Sequence, residues 1–570
     1  MDYFPYDSPR PFQREIYWRA YSALEKGVPA LINAPTGLGK TAAVLGAALK
    51  YAFERGLGVH YVVRTRNELE PPVRELSRLR ERGVDVEYVV IKSRQDMCCY
   101  RQLKKLEYLE FLAECSLLKK TGRCEYYPPK DVEVPLKNVS TYVKTLCASR
   151  TCPYEYAKER AGRARVVVST YYYVFGREAA DVRDKVVVVD EAHSLFDAVA
   201  SLHTIKISES DLRHAYRECR RHGFLEEASK IYKLLTLVRK TSGVVEDLLG
   251  QVGDLSLEEA VLDITRKKAE AGLTPYTPLL LVKELVEALR SRVKYLAEVR
   301  EVDSAKYLLL TPLDPVSIVK KALEQAANVI YISGTLPIQL FSEVLNITKY
   351  EALDVAFYQY VPRDNFLSVV DVGVTTRYQE RTEEMYLKIA GRIAAVINAS
   401  VGGVLAVFPS YEVLKAVRKY LKISIPHWFE GFDEFEIEDL PNKFFIGAVA
   451  GGRFVEGVEY VVEGVNLLST VVIVGVPYPE PSAYLERRVE LLKPRLRERA
   501  WDAVYLYQAV VNIRQAIGRL FRGPNDKGVL VFLDRRYVEP DLWNALKDVL
   551  AGAMIVENVE EAVHHLSLFR

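Results

Sequence analysis

The chain is 570 residues long, 49% apolar and 27% charged, with a net charge of +2. That length excludes a single hydrophobic core, so three or four domains are expected, and that charge excludes a uniformly basic surface, so any nucleic-acid groove is local. No apolar run approaches the roughly 18 residues of a membrane span, and the opening stretch lacks the basic and apolar regions of a signal peptide, so a cytoplasmic, reducing compartment with no membrane partner is expected.

Gln13 closes the run Arg10-Pro11-Phe12-Gln13, a placement from which a glutamine can read an adenine edge. About 20 residues later an apolar strand, Pro29 to Ile32, runs into Ala34-Pro35-Thr36-Gly37-Leu38-Gly39-Lys40-Thr41, and an Ala/Leu-rich helix follows to Phe53. Strand, glycine-rich loop, Lys-Thr and helix in this order make a phosphate-binding P-loop, with Ala34 where the pattern has its first glycine. Gly37 and Gly39 let the backbone approach phosphate oxygens, and the helix N-terminus points its N–H groups at them. Lys40 would reach the β- and γ-phosphates of ATP, and the Thr41 hydroxyl would bind Mg²⁺.

A second strand, Val59 to Val63, ends in Arg64-Thr65. Ligands gather at the carboxyl ends of strands in open α/β sheets, which places both residues against a nucleic-acid backbone. Further strands are expected at 84–91, 165–169 and 185–189. The last is four valines running into Asp190-Glu191-Ala192-His193, a buried parallel strand delivering two carboxylates. Asp190 suits a Mg²⁺ ligand and Glu191 the base that prepares the attacking water. Asn328 to Ser333 is another strand, followed by Gly334-Thr335-Leu336.

A βα unit takes about 30 residues. Lys40 and Asp190 are 150 residues apart, and Asp190 and Ser333 143 apart, so each gap holds an insert. The first, 92–157, carries six of the seven cysteines. The second, 205–303, reads as helical: 208–222 is periodic and stopped by Gly223, 225–249 has helical apolar spacing, and 279–302 is a long amphipathic run. The first α/β unit is expected to resume with a strand at 306–311. Residues 376–570 form a second α/β unit. Its helix from Gln508 to Arg522 would present Arg519 and Arg522 on one face as arginine fingers to the γ-phosphate.

Cys98, Cys115, Cys124 and Cys152 are separated by 16, 8 and 27 residues. No CxxC pair and no His lies in the insert, so a Cys/His zinc site is excluded there. An all-thiolate iron–sulfur cluster fits; Cys99 and Cys147 compete as ligands, and a loose Cys₄ zinc site remains open.

The motifs APTGLGKT, VVDEAH, SGTL, the EGVE stretch and QAIGRLFR, in this order, resemble superfamily 2 DNA helicases. The cysteine-rich insert between the first two motifs and the insert before SGTL resemble the XPD group, of archaeal type and related to Rad3 and DinG. Ser93-Arg94-Gln95-Asp96-Met97-Cys98 is similar to the family's Ser-Arg-x-x-x-Cys, and Cys152-Pro153-Tyr154 to its last ligand. This selects Cys98, Cys115, Cys124 and Cys152 as ligands of a 4Fe–4S cluster. The resemblance implies an α/β fold of two RecA-like parallel-sheet motor domains, at 1–91, 158–204 and 304–375 and at 376–570. It also implies a 4Fe–4S domain at 92–157 and a helical Arch domain at 205–303. It further implies nucleotide contacts at Gly457, Glu459 and Gln515 and a DNA contact at Arg94. The expected activity is ATP-dependent 5′→3′ unwinding by a monomer acting on single-stranded and forked DNA. Repair of the nucleotide-excision type, with repair-protein partners, is the expected setting. The alternatives are a DinG-like helicase with another role and an ATP-driven clamp that does not separate strands.

Overall fold

The computed structural model describes every residue except 36, 133–137, 178, 569 and 570. Two seven-stranded sheets dominate it. The first has the order Glu351–Asp354, Ala30–Asn33, Asn328–Ser333, Lys185–Val189, Gly58–Val63, Val166–Thr170, Tyr88–Ile91, and every pair is parallel. The valine-rich strands sit at its centre because they are apolar on both faces and need helices on both sides. All carboxyl ends therefore point one way, and the P-loop, Arg64, Asp190 and Ser333 collect on one edge.

The second sheet has the order His427–Phe429, Phe445–Val449, Gly403–Phe408, Leu468–Val474, Gly528–Leu533, Phe366–Asp371, Met554–Val556, again all parallel. Both sheets have the architecture expected of RecA-like motors. The strand Phe366–Asp371 belongs to the second sheet, so a boundary at 375/376 lies too late and the linker ends near residue 366. One apolar core runs through both units.

The insert expected to be helical is mixed. Its helices include Glu209–His222, Leu225–Lys240, Glu258–Glu270 and Leu279–Arg290. They pack on a four-stranded antiparallel sheet in the order Ile205–Ser208, Ala305–Pro312, Tyr295–Val302, Gly243–Val245. The run 279–302 is thus a helix followed by a strand. The strand expected to resume the first motor at 306–311 lies in this insert, which extends to Pro312. The hairpin turns on Asp303 and Ser304, with φ of 50° and 64°. Two left-handed residues give the turn whose twist matches a hairpin, and Asp-Ser signals it far more weakly than Asn-Gly. Ser208 caps the first helix in a capping box with Asp211, and Gly223 ends it in the left-handed region.

The cysteine-rich insert leaves after Ile91, returns before Val166, and is built on helices Tyr108–Lys120, Val139–Ala148 and Pro153–Ala161. It touches the other insert where Thr274 Oγ1 donates to Glu114 Oε2 at 3.1 Å. Among the described residues no helix is long and apolar enough to cross a membrane.

Candidate nucleotide site and strand cleft

The P-loop joins the strand Ala30–Asn33 to the helix Lys40–Glu54. Gly37 and Gly39 have φ of 88° and 74°, a region closed to most side chains. A Cβ on Gly37 would also stand 2.0 Å from the Arg522 carbonyl oxygen of the second motor. The Ala34 N–H donates to the Ser333 carbonyl at 3.0 Å, Leu38 is buried, and Lys40 Nζ lies 3.4 Å from the Pro35 carbonyl that accepts its proton. Thr36 lies outside the described residues. Gln13 is buried and committed to the loop: Nε2 donates to the Gly39 carbonyl at 2.9 Å, and Oε1 accepts from the Arg10 N–H at 2.7 Å. Arg10 Nη1 in turn donates to the Gly37 carbonyl at 3.3 Å.

Opposite the loop stands the acidic pair. Asp190 Oδ2 accepts from the Tyr61 hydroxyl at 2.7 Å, and its carbonyl accepts from the Tyr171 hydroxyl at 2.5 Å. Thr41 lies against the same Tyr61 hydroxyl, so the two expected Mg²⁺ ligands share a neighbour. Glu191 has φ of 51°, left-handed backbone that costs a non-glycine residue about 1–3 kcal/mol. Its Oε2 accepts from Ser333 Oγ at 3.3 Å and lies 3.2 Å from His193 Nδ1. Burial and the charge of Glu191 push the Asp190 carboxyl up. Burial also acts to raise Glu191, but His193, Lys40 and Ser333 outweigh it and hold Glu191 below the usual carboxylate range. His193, Lys40 and Ser333 thus favour the charged form of Glu191, and burial disfavours that of Asp190.

The second motor closes the cleft, which has a volume of about 760 Å³ and includes Glu191, Thr335, Gly457, Glu459, Arg519 and Arg522 in its lining. Gln515 Nε2 lies 3.3 Å from His193 Nε2. With that amide donating, His193 carries its proton on Nδ1, toward Glu191 and Ser333 Oγ, the latter at 2.7 Å. The two arginines are not equivalent. The helix Tyr507–Leu520 stops before Arg522, so they do not share a helix face. Arg519 gives Nη1 to the Val458 carbonyl at 2.9 Å and Nη2 to the Glu456 carbonyl at 2.7 Å. Arg522 gives Nη1 to Glu459 Oε1 at 3.0 Å, while its Nε and Nη2 are buried without a partner. A buried guanidinium edge left open is costly unless an anion fills it.

A second cleft of about 740 Å³ runs beside the first, lined by Arg64, Thr65, Arg66, Thr170 and Tyr172 of the first motor and by Gln508 and Val511 of the second. Arg64 Nη2 reaches Glu456 Oε2 across the motors at 3.3 Å, and Glu68 accepts from the Arg64 and Thr65 N–H groups at 3.0 and 3.1 Å. Arg94, expected at the DNA, faces elsewhere. It lines the cysteine cavity, lies over the Tyr154 ring at 4.6 Å, and pairs with Glu155 at 3.7 Å. The helix Arg94–Met97 begins the insert and turns its first residue inward.

Cys98, Cys115, Cys124 and Cys152 line that one cavity and are free thiols. Burial raises the Cys98 and Cys115 thiols, and pushes Cys152 up to about 11. Cys99 and Cys147, expected as competing ligands, are joined to each other in a disulfide with Cα atoms 5.7 Å apart. Cys99 also lines the cavity, but its sulfur is taken up by the bond to Cys147. Among the described residues no three His, Cys, Asp or Glu side chains stand close enough to hold a single ion.

Two residues of the nucleotide site escaped the motif reading. Tyr61 sits inside a strand that read only as apolar. Asn33, the last residue of the P-loop strand, gives Nδ2 to Asp354 Oδ1 at 2.8 Å and accepts from the Leu336 N–H at 2.9 Å. Its polarity at a strand's carboxyl end was the available signal.

The Helicase C-terminal domain family model matches residues 393–552, and the DEAD_2 model residues 61–212. The chain is 27% identical over 551 residues to the ATP-dependent DNA helicase XPD of Sulfolobus acidocaldarius, covering 93% of this chain and 96% of that protein. It is 22% identical to the ATP-dependent DNA helicase chl1 of Neosartorya fischeri, over 85% of this chain and 69% of that one. A solved XPD helicase superposes with a TM-score of 0.72 at 25% identity, over 97% of this chain and 100% of the other.

Proposed function

The chain belongs to the XPD family of superfamily 2 helicases, and from that premise we propose that it is an ATP-dependent helicase that translocates 5′→3′ on single-stranded DNA and opens duplex ahead of it. The observation that carries the reading is the open, buried edge of Arg522 set against the P-loop, across the cleft from Glu191. Lys40 and the P-loop N–H groups hold the phosphates. Thr41 and Asp190 would hold Mg²⁺, which would supply charge neutralisation to the phosphates. Glu191, ionised and aimed by His193 and Ser333, orients the attacking water and takes its proton. Arg522 stabilises the charge that develops on the γ-phosphoryl oxygens. Arg519 fixes the 456–459 loop that lines the cleft, rather than serving as a second finger. Gln13 shapes the P-loop, because both ends of its amide are already engaged there. Arg64 and Thr65 would contact the DNA backbone in the adjoining cleft.

The four free thiols fit a 4Fe–4S cluster. They line one cavity together, and an all-thiolate set of four is the donor set such a cluster takes. Such a cluster would cross-link four distant stretches of an insert with little core of its own.

A duplex with a single-stranded 5′ tail and one with a 3′ tail, each incubated with the protein and ATP, decide the direction. Displacement from the 5′-tailed substrate alone is expected; displacement only from the 3′-tailed one, or none with active ATP turnover, rules the reading out. The cellular setting proposed is excision repair. The match to chl1 supports a second setting outside it, and cells lacking the protein that survive bulky DNA lesions normally would favour that one.

A further inference from the structure

The helix that carries Arg519 ends at Leu520, so Arg522 stands on a loop and the helix does not aim it. Asp526 accepts from the Arg522 and Gly523 N–H groups at 2.5 and 2.7 Å within the loop, and the linker between the motors holds residues 521–524 from outside it. The Phe357 and Phe366 rings flank the Phe521 ring at 5.1 and 6.2 Å and lie 5.0 Å from each other. The Tyr360 hydroxyl donates to the Arg522 carbonyl at 3.1 Å, and Asn365 Nδ2 donates to the Pro524 carbonyl at 2.9 Å. The linker's other end is tied to the P-loop strand, where the Val355 N–H donates to the Asn33 carbonyl at 2.9 Å. Tyr360 is buried, and a Cβ on Gly37 would meet its hydroxyl at 3.0 Å as well as the Arg522 carbonyl. Linker, P-loop and finger loop thus meet at one point.

We propose that the linker is the positioning element of the arginine finger, with Tyr360 holding the Arg522 backbone against Gly37 so that the open guanidinium edge faces the γ-phosphate. The inference rests on the reading of Arg522 as the finger. A hydrogen bond from an uncharged hydroxyl is a modest tie, but misplacing a catalytic group by a fraction of an ångström is costly in rate. The one hydrogen bond that the Tyr360 hydroxyl donates goes to the Arg522 carbonyl, so its effect is assigned to the placement of Arg522.

The test is DNA-stimulated ATP hydrolysis by the full chain carrying Tyr360→Phe, Arg522→Ala or both. Tyr360→Phe keeps the ring and loses only the hydroxyl, so the fold is retained. Its kcat is expected to fall about 5- to 10-fold, with the KM for ATP within about twofold of the parent. In the Arg522→Ala background the same change should alter kcat by less than about twofold, because the group it positions is gone. Multiplicative losses in the double variant, a KM that rises in step with the fall in kcat, or a Tyr360→Phe enzyme of normal turnover would each overturn the positioning role and leave the finger intact. Normal turnover in Arg522→Ala would remove the finger itself, and with it this inference.

Discussion

Glu191 is held in a backbone region that side chains avoid, and three neighbours keep it ionised. Strain of this kind persists only where the surroundings over-determine it; here Ser194 adds to them, its N–H and hydroxyl both bonded to the Glu191 carbonyl. Glu191→Gln should keep the shape and lose the base. ATP turnover should fall to background while nucleotide affinity stays within about threefold of the parent, since binding rests on Lys40 and the loop N–H groups; near-normal turnover would sink the assignment. Arg522 and Arg519 should separate in the same assay. Arg522→Ala is expected to lower kcat by about 10³ or more, in the range of arginine fingers. Arg519→Ala leaves two backbone carbonyls without their donor, so it should lower the melting temperature and cost less in kcat. The reverse order would exchange the two roles.

Among the elements, the helices of the cysteine-rich insert differ in how they are anchored: Val139–Ala148 and Pro153–Ala161 bury apolar side chains in the motor's core. The helix Tyr108–Lys120, which carries Cys115, buries one side chain, Phe111, so it has the most to gain from a cross-link. Ser at Cys98, Cys115, Cys124 or Cys152 should abolish the visible absorbance and the iron content of anaerobically purified protein. Ser at Cys99 or Cys147 should leave both unchanged. That pair instead closes a loop across a separation of 48 residues, a constraint worth about 3–4 kcal/mol in the chain-entropy account. Its loss should appear as a lower melting temperature of the insert, read by limited proteolysis. Iron lost from the Cys99→Ser protein would mean that the disulfide partners ligate after all.

Taken as a whole molecule, the two inserts rooted in the first motor meet again at Glu114 and Thr274. Glu114 sits next to Cys115 on one helix, so whatever fills the thiol cavity also fixes the point where the ring closes. The other insert reaches the second motor too: Arg487 pairs with Glu246 at 2.5 Å, and the Tyr484 hydroxyl donates to the Pro312 carbonyl at 3.3 Å. The ion pair is exposed and worth at most about 1 kcal/mol, so it does not lock the insert to the second motor. Separating a base pair costs roughly 1.4 kcal/mol per step, and a rigid rim makes translocation yield strand separation. Neither Lys40 nor Arg522 lies near the thiol cavity. Cys115→Ser should therefore retain ATPase on single-stranded DNA and lose duplex unwinding, measured side by side on one preparation. Equal loss of both would mean that the insert supports the motor itself.

Contiguous patterns were enough for the chemistry of the motor. The P-loop, the acid pair at the end of a valine strand and the order of the later motifs are each written in short stretches, and the sheets bring them to one cleft. Pairing across the chain decided the rest. The Asp303-Ser304 hairpin turned an expected helix into a strand because its partner, Ala305–Pro312, supplies the hydrogen bonds. The strand Phe366–Asp371 joined the second sheet because Gly528–Leu533 and Met554–Val556 flank it there. Arg94 turned toward thiols because Tyr154 and Glu155, 60 residues on, stand beside it. Tyr61 and Tyr360 carry no motif at all; each matters for the one backbone or carboxylate oxygen that the fold brings within reach of its hydroxyl.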